Sequence, residues 1–135
     1  MTAELVDWLR ARLAEDERLA HEAMRGDGHW EYRDRSDDPD LYPWTVYAPD
    51  VRLNAGTGFA PQEALHIAEH DPARVLREVE AKRAVVDRYL KTLADRRLHP
   101  GDPALAGALL AWLHAVKLIA RPFRHRPGWR EEWAL

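Results

Sequence analysis

Apolar residues recur along this chain in two rhythms, and the switch between them divides it. Leu5, Leu9, Leu13, Ala20 and Met24 follow one another mainly at spacings of four, with Trp8 widening the stripe, while Glu15, Asp16, Glu17 and Arg18 mark a solvated face. This pattern predicts a long first helix, with Thr2 as its N-cap and an end near Gly26. The period then drops to two. Trp30 and Tyr32 alternate with His29, Glu31 and Arg33; Trp44 and Val46 alternate with Thr45 and Tyr47; Val51 and Leu53 alternate with Arg52 and Asn54. Two or three short antiparallel strands are expected, with Pro49-Asp50 as the turn between the last two. The acidic DRSDDPDLY segment reads as a loop, and Gly56 and Gly58 give NAGTGFAP a tight path out of the sheet.

The helical period returns in residues 61–93, PQEALHIAEHDPARVLREVEAKRAVVDRYLKTL, broken once at Asp71-Pro72. Asp71 can cap the helix that follows, and Pro72 suits a first turn that needs no intrahelical donor. Leu76, Val79, Val86, Leu90 and Leu93 then build one stripe for a core, with Arg77, Glu80, Asp87 and Lys91 falling largely elsewhere. After the ADRRLHPGDP break, Asp102-Pro103 repeats the cap-plus-proline start. In the seventeen residues ALAGALLAWLHAVKLIA only His114 and Lys117 are polar. A helix apolar nearly all round is a core helix or one that meets a partner. Leu105, Leu109, Trp112, Val116 and Ile119 form its expected core side, and Leu110, Leu113 and Ala120 an adjoining strip. Prolines 122 and 127 keep the closing RPFRHRPGWREEWAL from continuing the helix. The pattern predicts a single α+β domain, mainly helical: a long N-terminal helix, a small two- or three-stranded antiparallel sheet, then three helices.

A chain of 135 residues that is 46% hydrophobic and 32% charged has the composition of a globular domain. Its net charge of −3 gives no general attraction to nucleic acid or anionic lipid, so any polyanion site is a local patch. Without cysteine there is no disulfide, thiolate nucleophile or Cys-based zinc site. The N-terminus has acids and no uninterrupted apolar run, unlike a signal peptide. Those seventeen residues fall short of the roughly 20 that span a bilayer, and Lys117 would sit within them. The expectation is a soluble, cytoplasmic protein with no membrane contact.

Candidate chemistry is sparse. His66 and His70, four apart, share a helix face at the spacing of a two-histidine site for a divalent transition metal. HIAEH is not HExxH, because Ile67 stands where the general base belongs. His29, His99, Asp71 or an acid from 34–40 could complete a ligand set, and the bland alternative is a polar helix face with Asp71 acting only as a cap. His114 reads as a hydrogen-bonded helix histidine. In the tail, Arg121, Arg124, Arg126 and Arg130 interleave with Phe123, Trp129 and Trp133, a composition that can grip a nucleic-acid backbone and stack bases. Of these, Arg121, Arg124, Arg126 and Trp129 are the candidates. Against this, Glu131 and Glu132 dilute the patch, and such tryptophans commonly anchor a terminus while the arginines face solvent or pair with acids. Asp34, Asp37, Asp38 and Asp40 lack the EF-hand spacing. GTG in NAGTGF lacks the following Lys-Ser/Thr of a phosphate loop, and Ser36 is the sole serine.

Three pieces, LRARLAEDE, HIAEHDPARVLREVEAKR and GWREEWAL, together resemble a family of small, uncharacterised actinobacterial proteins known as a domain of unknown function. The resemblance covers about a quarter of the chain and is most specific from His66 to Arg83. It implies that many members are shorter or carry a cysteine-containing segment before the tail. Here the apolar stretch 104–120 stands in that place, so a metal role resting on those cysteines does not carry over. The resemblance implies no reaction. The expected function is a non-enzymatic interaction or regulatory module that forms a homodimer or binds a protein partner, with Leu110 and Leu113 at the interface. Metal binding or metal-dependent catalysis through His66 and His70 is the alternative, and nucleic-acid binding through the tail the next.

Overall fold

The computed structural model describes residues 2–34, 44–51, 53–57 and 59–135. Among them run four helices: α1 (Thr2–Ala23), α2 (Pro61–Glu69), α3 (Pro72–Leu98) and α4 (Pro103–Ala120). There are three strands, β1 (Glu31–Asp34), β2 (Trp44–Ala48) and β3 (Leu53–Thr57), and two 3-10 turns, Arg121–Phe123 and Glu131–Trp133. The chain is α+β and mainly helical, in the element order that the periodicity predicts. It divides into two compact units, Met1–Glu15 with Val79–Leu135, and Asp16–Glu78.

In the unit Asp16–Glu78 the strands pair antiparallel in the order β1-β2-β3. Tyr32 lies opposite Val46, and Val46 opposite Gly56. The ladder slips between Val46 and Tyr47: Tyr47 pairs with Asn54, so Ala55 is the extra residue of a bulge. The third strand sits later than the alternation over 51–54 suggests, because the turn takes in Val51 and pairing continues through Asn54–Thr57. Ladder hydrogen bonds are made by backbone, so a stretch as poor in apolar side chains as NAGT can still pair. Thr45, placed by alternation on the outer face, is buried like its neighbours Val46 and Ala48. Asp34 closes β1, and the rest of the acidic segment, with Ser36, Asp37, Asp38 and Asp40, lies outside the described residues.

Helix α2 packs on this sheet. Pro61 occupies its first turn, and the Glu63 carboxylate reaches back to accept from the Ala60 amide at 2.9 Å. Ala64 and Ala68, four apart and both buried, join Val46 in a small core flanked by Trp30, Tyr32, Phe59 and Ile67. The α1–β1 connection is pinned within the same unit. The Asp50 carboxylate accepts from the Asp27 amide at 2.7 Å, and Gly26, at φ +58°, lies so close to that carboxylate that a Cβ would collide with it.

In the other unit the buried side chains are Leu5, Val6, Leu9 and Leu13 of α1, Val79, Val86, Tyr89 and Thr92 of α3, and Val116 and Ala120 of α4. Phe123 and Trp133 complete them. Helix α1 begins at Thr2 itself rather than after it. In α3, Tyr89 and Thr92 take inner positions while Leu76, Leu90 and Leu93 are half-buried. Thr92 tolerates burial because its hydroxyl donates to the Arg88 carbonyl at 2.9 Å. Both cap-plus-proline starts form. Asp102 Oδ1 accepts from the amides of Ala104 (2.8 Å) and Leu105 (3.3 Å), and Asp71 Oδ1 accepts from the Arg74 amide (2.7 Å).

Candidate functional site

The most distinctive surface belongs to α4. Of its expected core side only Val116 is fully buried, while Leu105, Leu109, Trp112 and Ile119 are half-buried. Ala120, from the adjoining strip, is the other fully buried residue. The remaining exposed positions past the first turn are Gly107, Leu110, Ala111, His114 and Leu118. Leu110 is 62% and Leu118 53% exposed, a large fraction for two leucines on one helix. The two expected interface residues part company here. Leu110 points out, whereas half-buried Leu113 lines a cavity of about 120 Å³ with Thr2, Leu5, Lys117, Glu132 and Trp133. Leu118 was legible as the partner of Leu110 at i, i+8 through His114. With the 3-10 turn that follows, Pro103–Phe123 gives 21 residues, which by length and composition suffice to cross a membrane.

The tail is held by its aromatics. Trp8, Trp129 and Trp133 form a three-ring cluster with centroids 5.4 to 5.8 Å apart, two of the contacts edge-on. Trp8 Nε1 donates to the Pro127 carbonyl at 2.9 Å, and Gly128, at φ +86°, leaves room for that indole, since a Cβ would lie 2.9 Å from Nε1. Arg126 pairs with Glu15 at 3.1 Å and Arg130 with Glu4 at 2.7 Å. Of the residues picked out for nucleic acid, Arg121, Arg124 and Trp129 gather around a small cleft shared with Lys117 and Glu131. Arg126 is directed to Glu15 and the Phe123 ring.

His66 and His70 do share a face of α2 and its C-cap, with ring centroids 4.2 Å apart and both side chains exposed. His70 Nδ1 lies 2.9 Å from the His66 carbonyl, which engages one ring nitrogen with backbone. Among the described residues no group of three or more His, Asp and Glu could hold a metal ion. His70 also lines an open apolar groove of about 330 Å³ with Leu19, Ala20, Ala23, Trp30 and Val75, and the buried Trp30 Nε1 has no hydrogen-bond partner among the described residues.

Asp71 does more than cap α3. It is 4% exposed, and its Oδ2 accepts from the Trp30 amide at 3.2 Å and lies 3.1 Å from His29 Nδ1. The Gly28 carbonyl accepts from the Ala73 amide at 3.1 Å. One carboxylate thus ties residues 28–30 to the start of α3. A carboxylate–imidazole pair can fix a tautomer for proton transfer, but His29 is largely exposed and the Asp71 oxygens are committed to backbone amides. The arrangement reads as a staple. Nearby, partial burial raises the Tyr32 phenol above its ordinary range, with the Asp34 carboxylate adding to the effect.

Comparison with curated proteins and with solved structures yields no match. A family model does match, over residues 2–135, so the chain belongs to a family of unknown function, DUF6221.

Proposed function

We propose that this protein is a small interaction module whose contact surface is the outward face of α4, used for self-association or for binding a protein partner. The observation that carries the reading is the mismatch between composition and burial. In α4 only His114 and Lys117 are polar, yet Val116 and Ala120 alone are fully buried and Leu110 and Leu118 stand more than half exposed. A soluble chain that keeps such a strip uncovered commonly uses it for contact. Helix propensity alone does not require it, since the exposed positions could be Glu, Lys or Gln at no cost to the helix.

The same length and composition suit a bilayer, so the test separates the two. Leu110→Glu is expected to retain the helical circular dichroism and melting temperature of the wild type while lowering the mass of any complex measured by light scattering. Val116→Glu, at a fully buried position, is expected to lose the fold. Wild-type protein that is monomeric at high concentration and keeps the same mass in Leu110→Glu would remove self-association through this face. Flotation of wild type with phosphatidylglycerol vesicles, lost in Leu110→Glu, would replace the protein partner with a membrane.

A further inference from the structure

The arginines of the tail divide into two kinds. Arg126 and Arg130 reach back to acids of α1, Glu15 and Glu4. Among the described residues, Arg121 and Arg124 make no ion pair, ring contact or side-chain hydrogen bond. These two nevertheless converge. Both line a cleft of about 90 Å³ with Lys117, Trp129, Glu131 and Leu135, all within the unit that holds Val79–Leu135. Lys117 Nζ donates to the Ala134 carbonyl at 3.4 Å, one long bond that leaves the rest of the ammonium uncommitted. The dipole of α4 favours cations at its C-terminal end and accounts for Lys117 and Arg121. It falls off within one turn, so it gives no reason for Arg124, which lies past the 3-10 turn Arg121–Phe123. We propose that this cleft binds a small phosphate monoester, its phosphate held by Arg121, Arg124 and Lys117 beside the Trp129 ring.

The count of donors selects the anion. Two guanidinium forks and an ammonium converge on one cleft, and a carboxylate has only two oxygens to offer them. A phosphate monoester offers three, in a tetrahedral array, with a charge of about −1.5 to −2 at neutral pH. A backbone phosphodiester of nucleic acid has a single charge and two unbridged oxygens, so it fits the same donors less well. Size agrees with this choice. The cleft has roughly three times the ~30 Å³ share of one liquid water, room for a phosphate group but not for a base with it. Arg121 and Arg124 also border an open hollow with Leu118, Pro122 and His125, where the organic part of a monoester can extend. Glu131 opposes the anion, and both arginines are exposed, so binding is modest and weakens with salt. The cleft lies off the outward face of α4, and the inference stands independently of what that face meets.

The test is a titration of the full chain, labelled with nitrogen-15, at neutral pH and low salt. The probes are inorganic phosphate, phenyl phosphate and a single-stranded oligonucleotide without terminal phosphates. The readout is the Trp129 indole N–H resonance, assigned by its loss in Trp129→Phe. Both phosphate compounds are expected to shift that resonance saturably, and added chloride to weaken the effect. Arg121→Gln and Arg124→Gln, at exposed positions, should keep the wild-type circular dichroism and each weaken binding about tenfold. Arg126→Gln removes a guanidinium directed to Glu15 and should leave binding within about twofold. Glu131→Gln should tighten it about two- to threefold, because the opposing charge is gone.

No saturable shift with either phosphate compound would overturn the proposal, as would an Arg126→Gln effect equal to that of Arg121→Gln. An oligonucleotide that binds more tightly than phenyl phosphate would also overturn it, and would put nucleic acid in place of the monoester.

Discussion

Replacing Asp71 with alanine should be among the most damaging single changes on the polar side of this fold, and the structure says by how much. Three contacts disappear. The cap bond to the Arg74 amide, at 2.7 Å, is an N-cap interaction, typically worth about 1 kcal/mol. The Trp30 amide, 3.2 Å from Oδ2 in a part-buried setting, would be left without its acceptor, which costs about 1–2 kcal/mol. The His29 contact adds little, because that imidazole is 60% exposed and solvent screens the pair. The sum is about 2–3 kcal/mol, or on the order of 6–15 °C in Tm for a chain of this length. Asp71→Asn should fall between, since its amide oxygen can still cap while its NH₂ cannot accept from Trp30. His29→Ala should cost less than about 0.5 kcal/mol. Urea unfolding followed by circular dichroism measures all three. If Asp71→Ala lay within about 0.5 kcal/mol of the wild type, or if His29→Ala matched it, the account of Asp71 as a backbone staple would be wrong.

Other consequences follow from the same contacts. Trp133→Ala removes a buried ring from the three-tryptophan cluster and should cost about 3–5 kcal/mol, seen as an early melting transition. Gly128→Ala imposes a side chain at φ +86° against the Trp8 indole. It should cost about 1–3 kcal/mol and shift tryptophan emission to the red as the tail loosens. His66→Ala with His70→Ala, at two exposed positions, should change stability by less than about 0.5 kcal/mol. Added zinc should leave the melting temperatures of wild type and double variant alike, and a rise in the wild type alone would instead establish a metal site.

The helices were legible because their signals are local: two Asp-Pro starts, and stripes in α1 that the fold buries at Leu5, Leu9, Leu13 and Ala20. The alternation of Val51 and Leu53 predicts a third strand that starts earlier than the one observed, because the turn and the bulge at Ala55 are set by backbone pairing that side chains do not advertise. The tail shows the limit of composition. An arginine–aromatic run reads the same whether it faces nucleic acid or its own chain, and only the fold shows Arg126 on Glu15 and Arg130 on Glu4. For α4, apolar composition predicts one strip for the core and an adjoining strip at an interface, whereas the fold buries Ala120 and half-buries Leu113 of that second strip and leaves Leu110 exposed. Which positions stay bare depends on how few neighbours reach the helix, and no periodicity contains that.

The claim that α4 is a contact surface between copies is tested most directly by sedimentation equilibrium of the unmodified chain across the micromolar range. The expected average mass climbs from the monomer value of 15.6 kDa toward twice that and then levels off, as a closed twofold pair requires. A mass fixed at the monomer value up to the highest soluble concentration would contradict it, and so would one that kept rising past the dimer.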